Sequence, residues 1–119
     1  MKGEKRVEFR KVRFRSEISH IVVYASSPLQ RIVGYFEVSH VDVDSPSVLW
    51  ARYSAVAGIP QSEFQAYYGS YDRGVAVGVG KVSALRNPVP LTTLGESIVA
   101  PQSFMYITPE AFEIIRRYS

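Results

Sequence analysis

The sequence predicts one α+β domain, residues 1–119, in which a small, mostly antiparallel barrel or strongly bent sheet carries short helices on its flank. The length of 119 residues fits a single domain, and an aromatic content of 13% supplies bulky side chains for its core. Strand patterns open the chain, helical patterns occupy its middle, and further strands and one helix close it. That order differs from the regular strand–helix alternation of a parallel, doubly wound sheet.

The first segment, Arg6–Arg15, alternates polar and apolar residues as a strand does, but its phase shifts by one residue. Val7 and Phe9 share one face, whereas the apolar residues that follow have the opposite parity. Because such a shift sends side chains to the other face of a sheet, we predict a bulge or bend at Arg10–Lys11.

Two apolar segments then predict strands. Ile21–Ala25 is a continuous run rich in β-branched residues, which is typical of a strand buried on both faces. Arg31–Val43 predicts a long strand, in which Gly34 marks a bulge or a point where another part of the chain comes close.

The middle of the chain predicts two helices. Asp44-Ser45-Pro46 combines a capping side chain with proline in the first turn, and we expect the helix that begins there to run to Gly58. A second, shorter helix is predicted to end at Gly69. Its apolar face, which we assign to the core, consists of Phe64, Tyr67 and Tyr68.

The last third predicts two strands and a helix. Gly74–Ser83 is a strand with a row of small residues on one face, which lets a helix or a planar ligand approach closely. We expect a loop at Asn87–Pro90, and a short strand at Pro101–Ile107. Thr108-Pro109 then caps a terminal helix whose inward residues are Phe112, Ile115 and Tyr118.

The composition excludes several kinds of chemistry. Without cysteine the chain has no disulfides, no thiol catalysis and no Cys-containing metal site, and it fits the cytoplasmic location that we predict. The two histidines, His20 and His40, lie 20 residues apart, and we interpret them as ordinary strand residues. We therefore predict no metal and no other cofactor. No apolar stretch reaches the roughly 18 residues that a spanning helix needs, so no membrane contact is predicted.

The positive charge is concentrated at the N-terminus. Seven of the 14 Lys and Arg residues fall within the first 15 positions, beside only two acidic residues. Such a basic segment on a near-neutral body is typical of proteins that bind phosphate-bearing partners. It is equally typical of an edge strand that charge protects from aggregation, and the charge alone leaves both interpretations open.

One short motif carries a resemblance to a known family. Gly3, Lys5, Glu8 and Arg10 fit the pattern G-x-K-x-x-E-x-R, which resembles the signature of the ASCH domain family in the PUA-like superfamily. The resemblance continues in order through the segments IVVYASSP at 21–28, GYFEV at 34–38, Leu49-Trp50, Phe64 with Tyr67-Tyr68, and Pro101-Gln102-Ser103-Phe104.

The resemblance implies a PUA-like barrel with a cleft lined by the motif, in a superfamily that commonly binds RNA or modified nucleosides. The cleft residues would be Gly3, which permits a tight turn, Lys5, which can reach phosphate, and the pair Glu8 and Arg10. Beyond the bend, three cations would follow phosphates: Lys11, Arg13 and Arg15. Four residues are second candidates for stacking on a base or bonding its edge: Tyr24, Gln102, Ser103 and Tyr106.

Each assignment has a structural alternative. Glu8 and Arg10 can form a salt bridge at the rim of the sheet, and the four second candidates can be packing and capping residues. The first hypothesis is therefore a module that binds RNA or a nucleotide-like ligand, with a role in translation or transcription regulation.

Two other functions remain open. Some ASCH relatives resemble amidohydrolases that act on acetylated cytidine with Lys, Thr and Glu. Lys5 matches the first, but Glu8 stands at the Thr position and Ala57-Gly58 where the Glu is expected. An enzyme acting on a modified nucleoside or on RNA would then use Lys5 and Glu8.

The third hypothesis is a protein-interaction module. Only two residues precede Gly3, whereas the family usually has a strand and a helix there. An uncovered sheet edge would favour self-association, so both a monomer and a homodimer are compatible with the sequence.

Overall fold

A computed structural model of the chain describes residues 6–96, 98, 100, 101 and 103–119. Its strands and helices are β1 (Val7–Arg10), β2 (His20–Ala25), β3 (Arg31–Asp44), α1 (Pro46–Tyr53), α2 (Gln61–Tyr68), β4 (Gly74–Val89), β5 (Phe104–Ile107) and α3 (Pro109–Ile115). Short 3-10 turns lie at Ser54–Val56, Leu91–Thr93 and Arg116–Tyr118.

The strands form one five-stranded sheet in the order β1-β4-β3-β2-β5. The pairs β1–β4, β2–β3 and β2–β5 are antiparallel. The predicted class, an α+β fold with a mostly antiparallel sheet and short flanking helices, is therefore confirmed.

Both predicted irregularities of the sheet are present. β1 ends at Arg10, and the chain bends at Lys11 and Val12. In β3 the pairing with β2 skips Val33, because Val23 pairs with Gly34 while Tyr24 pairs with Ile32. Gly34 also marks a close approach, as predicted.

The chain divides into two compact units. The first contains the described residues up to Arg15 together with Ser39–Gly80, and the second contains Ser16–Val38 together with Lys81–Ser119.

The core of the first unit lies between the two middle helices and the start of the sheet. Ser45 caps α1, since its Oγ accepts a 3.4 Å hydrogen bond from the amide of Val48, and Pro46 occupies the first turn. One cluster of buried side chains in this core consists of Val7, Leu49, Ala57, Phe64, Tyr68 and Ala76.

Two expectations about these helices were wrong. α1 ends at Tyr53, short of Gly58, and a 3-10 turn follows it. On α2 the buried residues are Phe64 and Tyr68, whereas Tyr67 is 41% exposed. Phe64 and Tyr68 are four residues apart, about one helical turn, so they lie on the same side of α2. Tyr67 lies beside that side and remains partly in solvent.

The core of the second unit joins β2, β3, the end of β4, β5 and α3. Thr108 caps α3 with a 3.2 Å hydrogen bond from the amide of Ala111, as predicted. The His20 ring stacks on Phe112, with the two ring centroids 3.4 Å apart. Burial lowers the pKa of His20, and the charge of Glu37 partly opposes this effect. The buried side chains are Val22, Tyr24, Ile32, Tyr35, Leu85, Val89, Ile107 and Ile115.

The predicted loop at Asn87–Pro90 was also wrong, because β4 continues to Val89. The row of small residues in β4 is approached by side chains of the same unit: the Tyr68 ring at Gly74, and His40 with Ser39 at Gly78. Within the described residues, no helix is long and apolar enough to cross a membrane.

Candidate nucleic-acid interface

The structure describes most of the predicted site residues. Gly3, Lys5 and Gln102 lie outside the described residues. The others divide between the two units. Glu8, Arg10, Lys11, Arg13 and Arg15 belong to the first unit, and Tyr24, Ser103 and Tyr106 belong to the second.

In the second unit, the amide of Tyr24 donates a 2.7 Å hydrogen bond to the carbonyl oxygen of Ser103. The Tyr24 side chain is buried, with 8% of its surface exposed, and belongs to the hydrophobic core of that unit. Ser103 is exposed. The two residues are thus neighbours through their backbones, and the Tyr24 ring packs against apolar side chains.

In the first unit, backbone hydrogen bonds hold β1 firmly. Its residues pair with β4 from Val7 with Gly78 to Arg10 with Val75. Just before the strand, the amide of Arg6 donates to the Val56 carbonyl at 3.0 Å, and the Arg6 carbonyl accepts from Val79 at 2.8 Å. Because Glu8 and Arg10 are two residues apart on this strand, they share one face of it.

Two tyrosines of α2 hold the end of β1. The Tyr68 hydroxyl donates to the carbonyl oxygen of Arg10 at 2.9 Å and lies 3.5 Å from that of Val75. The Tyr67 hydroxyl donates to the Phe9 carbonyl at 3.4 Å. Burial raises the pKa of Tyr68 to about 12, so its hydroxyl remains a donor throughout the physiological range. The bend that follows β1 therefore starts from a fixed point.

At this bend, basic side chains contact aromatic rings. The Lys11 ammonium lies 4.8 Å from the centroid of the Tyr67 ring and 5.2 Å from that of Tyr71. The Arg10 guanidinium lies 4.0 Å from the centroid of Phe14, and its Nε donates to the Val12 carbonyl at 3.2 Å. These distances are typical of cation–π contacts.

We call this region the basic–aromatic surface; it consists of Arg10, Lys11, Arg13, Phe14, Arg15, Tyr67 and Tyr71. Arg13 and Arg15 are exposed, and Tyr71 keeps 50% of its surface in solvent. Arg10 and Lys11 thus contact aromatic rings, and Arg13 and Arg15 add two exposed cations on the same segment. The sequence interpretation missed both tyrosines, because it placed Tyr67 in the core and because Tyr71 lies beyond the end of α2.

A groove of about 270 Å³ lies between β1 and α2. It contains two carboxylates, Glu8 from the strand and Glu63 from the helix. We call it the carboxylate groove; its other lining residues are Phe9, Ala57, Ile59 and Tyr67. Tyr67 therefore belongs both to this groove and to the basic–aromatic surface. Among the described residues, no group of three His, Asp or Glu side chains could hold a metal ion.

A third polar cluster has a structural role. Arg52 forms ion pairs with Asp42 at 2.7 Å and with Asp44 at 3.5 Å. The Tyr53 hydroxyl donates to the same Asp42 carboxylate at 2.9 Å. Hydrogen bonds from Arg52 and then from Tyr53 lower the pKa of Asp42, so α1 is tied to the end of β3 by an ionised carboxylate.

Comparison with known proteins gives two kinds of relative, and no family model matches the sequence. The large ribosomal subunit protein uL22 of Ureaplasma parvum is 31% identical over 104 residues, which cover 87% of this chain but 33% of that protein. The ATP synthase subunit alpha of the same species is 30% identical over 104 residues, which cover 87% of this chain but 13% of that protein. The chain thus spans a third or less of the length of these curated relatives.

The second kind of relative matches over most of its length. An ASCH domain-containing ribonuclease of Zymomonas mobilis is 24% identical over 112 residues, which cover 91% of this chain and 75% of that protein.

The crystal structure of ASCH from Zymomonas mobilis covers 97% of this chain with a TM-score of 0.68 and 22% identity, and 82% of that chain is covered. A single-residue variant of that protein gives a TM-score of 0.69 at 20% identity, with 85% of its chain covered. The predicted resemblance to the ASCH domain family is confirmed at the level of the fold.

Proposed function

We propose that the domain binds RNA through the basic–aromatic surface. The observation that carries this proposal is the Lys11 ammonium between the two exposed rings of Tyr67 and Tyr71. Lys and Arg side chains neutralise phosphates, and exposed aromatic faces stack on unpaired bases. A surface that offers both groups side by side suits a single-stranded, phosphate-bearing chain better than it suits a small anion.

The relatives support a connection with RNA. One of them is named an ASCH domain-containing ribonuclease, and nearly the whole of this chain shares the fold of an ASCH structure from the same species. The names uL22 and ATP synthase subunit alpha carry less weight. They belong to proteins of different kinds, each of which matches over 104 residues and is covered to a third or less of its length, so neither name describes the matching segment itself.

The setting that we propose is the cytoplasm, with a role in translation or transcription regulation. Crosslinking of a tagged protein to RNA in cells, followed by sequencing of the bound fragments, tests this part. Enrichment of messenger, ribosomal or transfer RNA would support the role, and recovery of RNA at the level of an untagged strain would contradict it.

Substitution of Lys11 tests RNA binding. Fluorescence anisotropy with a labelled single-stranded RNA is expected to show weaker binding for Lys11→Ala, and a salt dependence of log Kd that is shallower by about 0.7 per lost phosphate contact. Lys81→Ala is the matched control, because Lys81 is an exposed lysine of the other unit. Absence of binding by the unsubstituted protein at low salt, or equal effects of the two substitutions, would refute the proposal.

A second candidate function is RNA cleavage in the carboxylate groove. The observation that favours it is that Glu8 and Glu63 line one groove, since positioned carboxyl groups can serve as general acid and general base. The relative named a ribonuclease supports it as well.

Incubation with end-labelled RNA tests this candidate. If the groove is catalytic, Glu8→Gln and Glu63→Gln each abolish cleavage while RNA binding persists. Glu17→Gln, an exposed carboxyl of the other unit, is the control. Release of acetate from acetylated cytidine in a parallel assay would instead favour the nucleoside hydrolase activity. If RNA and acetylated cytidine both remain intact, RNA cleavage and nucleoside hydrolysis are both excluded.

A further inference from the structure

A second groove lies on the other side of α2, between α1 and α2, and nothing in the RNA-binding proposal uses it. Its volume is about 270 Å³, slightly below that of pockets for drug-sized ligands, so it suits a single planar ring system. We call it the aromatic groove. The residues that matter for its chemistry are Trp50 from α1 and Gln61, Phe64, Gln65 and Tyr68 from α2.

The apolar side of the groove is rigid. Phe64 and Tyr68 are 3% and 2% exposed, and the Trp50 and Phe64 rings pack at 4.9 Å between centroids. Their positions are therefore fixed before any ligand arrives. Trp50 is only half-buried, so part of its surface remains available for a ring to stack upon.

The polar side consists of two amides. Gln61 and Gln65 are four residues apart on α2, so their side chains are neighbours on one line of the helix. Both are exposed, and among the described residues neither side-chain amide has a hydrogen-bond partner. A glutamine amide has one acceptor and two donors, which match the N6 and N7 positions of adenine in a two-point contact.

The groove is close to the basic–aromatic surface through α2 itself. Tyr67 contacts Lys11, and the next residue, Tyr68, lines the aromatic groove. A helix is about 10–12 Å across with its side chains. An RNA strand that occupies both would therefore pass around α2 between its phosphate at Lys11 and its base in the groove.

We infer that the aromatic groove binds one unpaired purine base, adenine in preference to the others, by stacking on Trp50 and hydrogen bonding to Gln61 and Gln65. The identification of the occupant as a base of RNA rests on the function proposed above. A base in a duplex remains stacked between its neighbours and cannot present a face to Trp50, so the groove selects single-stranded RNA.

Trp50 is the single tryptophan of the chain, so its fluorescence reports occupation of the groove directly. Titration with adenosine, guanosine, cytidine and uridine uses probes without phosphate, which do not require the basic–aromatic surface. We expect saturable quenching that is strongest with adenosine. The double variant Gln61→Ala/Gln65→Ala should bind adenosine about tenfold more weakly. Lys11→Ala and the exposed α2 control Ser62→Ala should leave adenosine binding unchanged.

A second titration uses RNA octamers. A single-stranded oligoadenylate should quench Trp50, and a duplex of the same length should not. If RNA binds in a Lys11-dependent manner while no nucleoside or octamer changes the fluorescence, this inference is overturned and the RNA-binding proposal stands.

Equal adenosine affinity in the double variant and the unsubstituted protein would overturn the inference too. So would quenching by an apolar peptide but by no nucleoside. Adenosine binding without any RNA binding would support the groove as a nucleobase site and contradict the proposed function.

Discussion

Tyr68 connects the core of the first unit to the start of the candidate interface. Its ring is buried, and its hydroxyl donates to the Arg10 carbonyl at the last residue of β1. Tyr68→Phe keeps the ring and removes the donor, so no cavity forms, but a partly buried hydrogen bond to the Arg10 carbonyl is lost. We expect the free energy of unfolding to fall by about 1 kcal/mol, as measured by urea denaturation.

Tyr67→Phe is the matched control on the next residue. The Tyr67 hydroxyl forms a longer hydrogen bond, at 3.4 Å, and its side chain is 41% exposed, so the loss of stability should stay below about 0.5 kcal/mol.

The pH dependence of stability gives a second test of the role of Tyr68. Burial raises the pKa of Tyr68 from 10.0 to about 12, so the unfolded chain releases this proton first. The stability that Tyr68 contributes is complete below pH 10 and declines between pH 10 and about 12. The difference between the protein and Tyr68→Phe should therefore shrink over that range. A difference that stays constant with pH would contradict the assigned burial.

The individual residues also show how far sequence reasoning reaches at the site. Charge density selected Lys11, Arg13 and Arg15, because charge is visible in a sequence. The sequence did not show that the Tyr67 ring is exposed, because a helical pattern shows which residues are apolar but not where the edge of the buried face falls. The partner of Lys11 in space, 56 residues away, is set by the packing of α2 on β1, which no local pattern encodes.

At the scale of secondary structure elements, the approach of β4 to β3 depends on Gly34. A Cβ added to Gly34 would lie 2.6 Å from the carbonyl oxygen of Ser83, a backbone atom that cannot rotate away. Gly34→Ala must therefore push the two strands apart. We expect a loss of about 3 kcal/mol in the free energy of unfolding, at the upper end of the range for an overpacked core, measured by chemical denaturation.

Gly69→Ala separates this steric effect from a conformational one. Gly69 ends α2 with φ of +55°, and an added Cβ there has no atom within 4 Å. Its cost is only that of a positive-φ conformation that residues with a Cβ rarely adopt, about 2 kcal/mol. A loss at Gly34 no larger than the loss at Gly69 would show that the strands adapt, and the close approach would then have no energetic importance.

Most elements were predictable because their ends carry local signals. Ser45-Pro46 and Thr108-Pro109 both begin helices with a hydroxyl cap and a proline, and both helices are present. The end of β4 was not predictable from such signals. Asn87-Pro88 is typical of a turn, yet the strand continues through it to the buried Val89. Burial of that side chain in the core of the second unit outweighs the local preference for a turn.

At the scale of the whole molecule, charge is distributed unevenly along the chain, and this distribution should govern RNA affinity. Half of the 14 basic residues lie in the first 15 positions, although the formal net charge is only +3. If affinity followed net charge, any two arginines would be equivalent. If it depends on the basic–aromatic surface, Arg13 and Arg15 must matter more than arginines elsewhere. Replacement of two arginines in each place distinguishes the two cases at equal net charge.

The last prediction compares Arg13→Ala/Arg15→Ala with Arg86→Ala/Arg117→Ala. All four arginines are exposed, and the second pair belongs to the other unit, so both double variants lose the same charge. For single strands each phosphate contact contributes about 0.7 to the slope of log Kd against log salt. We expect the first double variant to lose about 1.4 from that slope when anisotropy titrations are run at several salt concentrations, and the second to lose close to none. Stacking on Tyr71 depends little on salt, so Tyr71→Ala should weaken binding and leave the slope unchanged. If both pairs of arginines lower the slope equally, the long-range field of the whole molecule attracts RNA, and the bend after β1 is not its binding site.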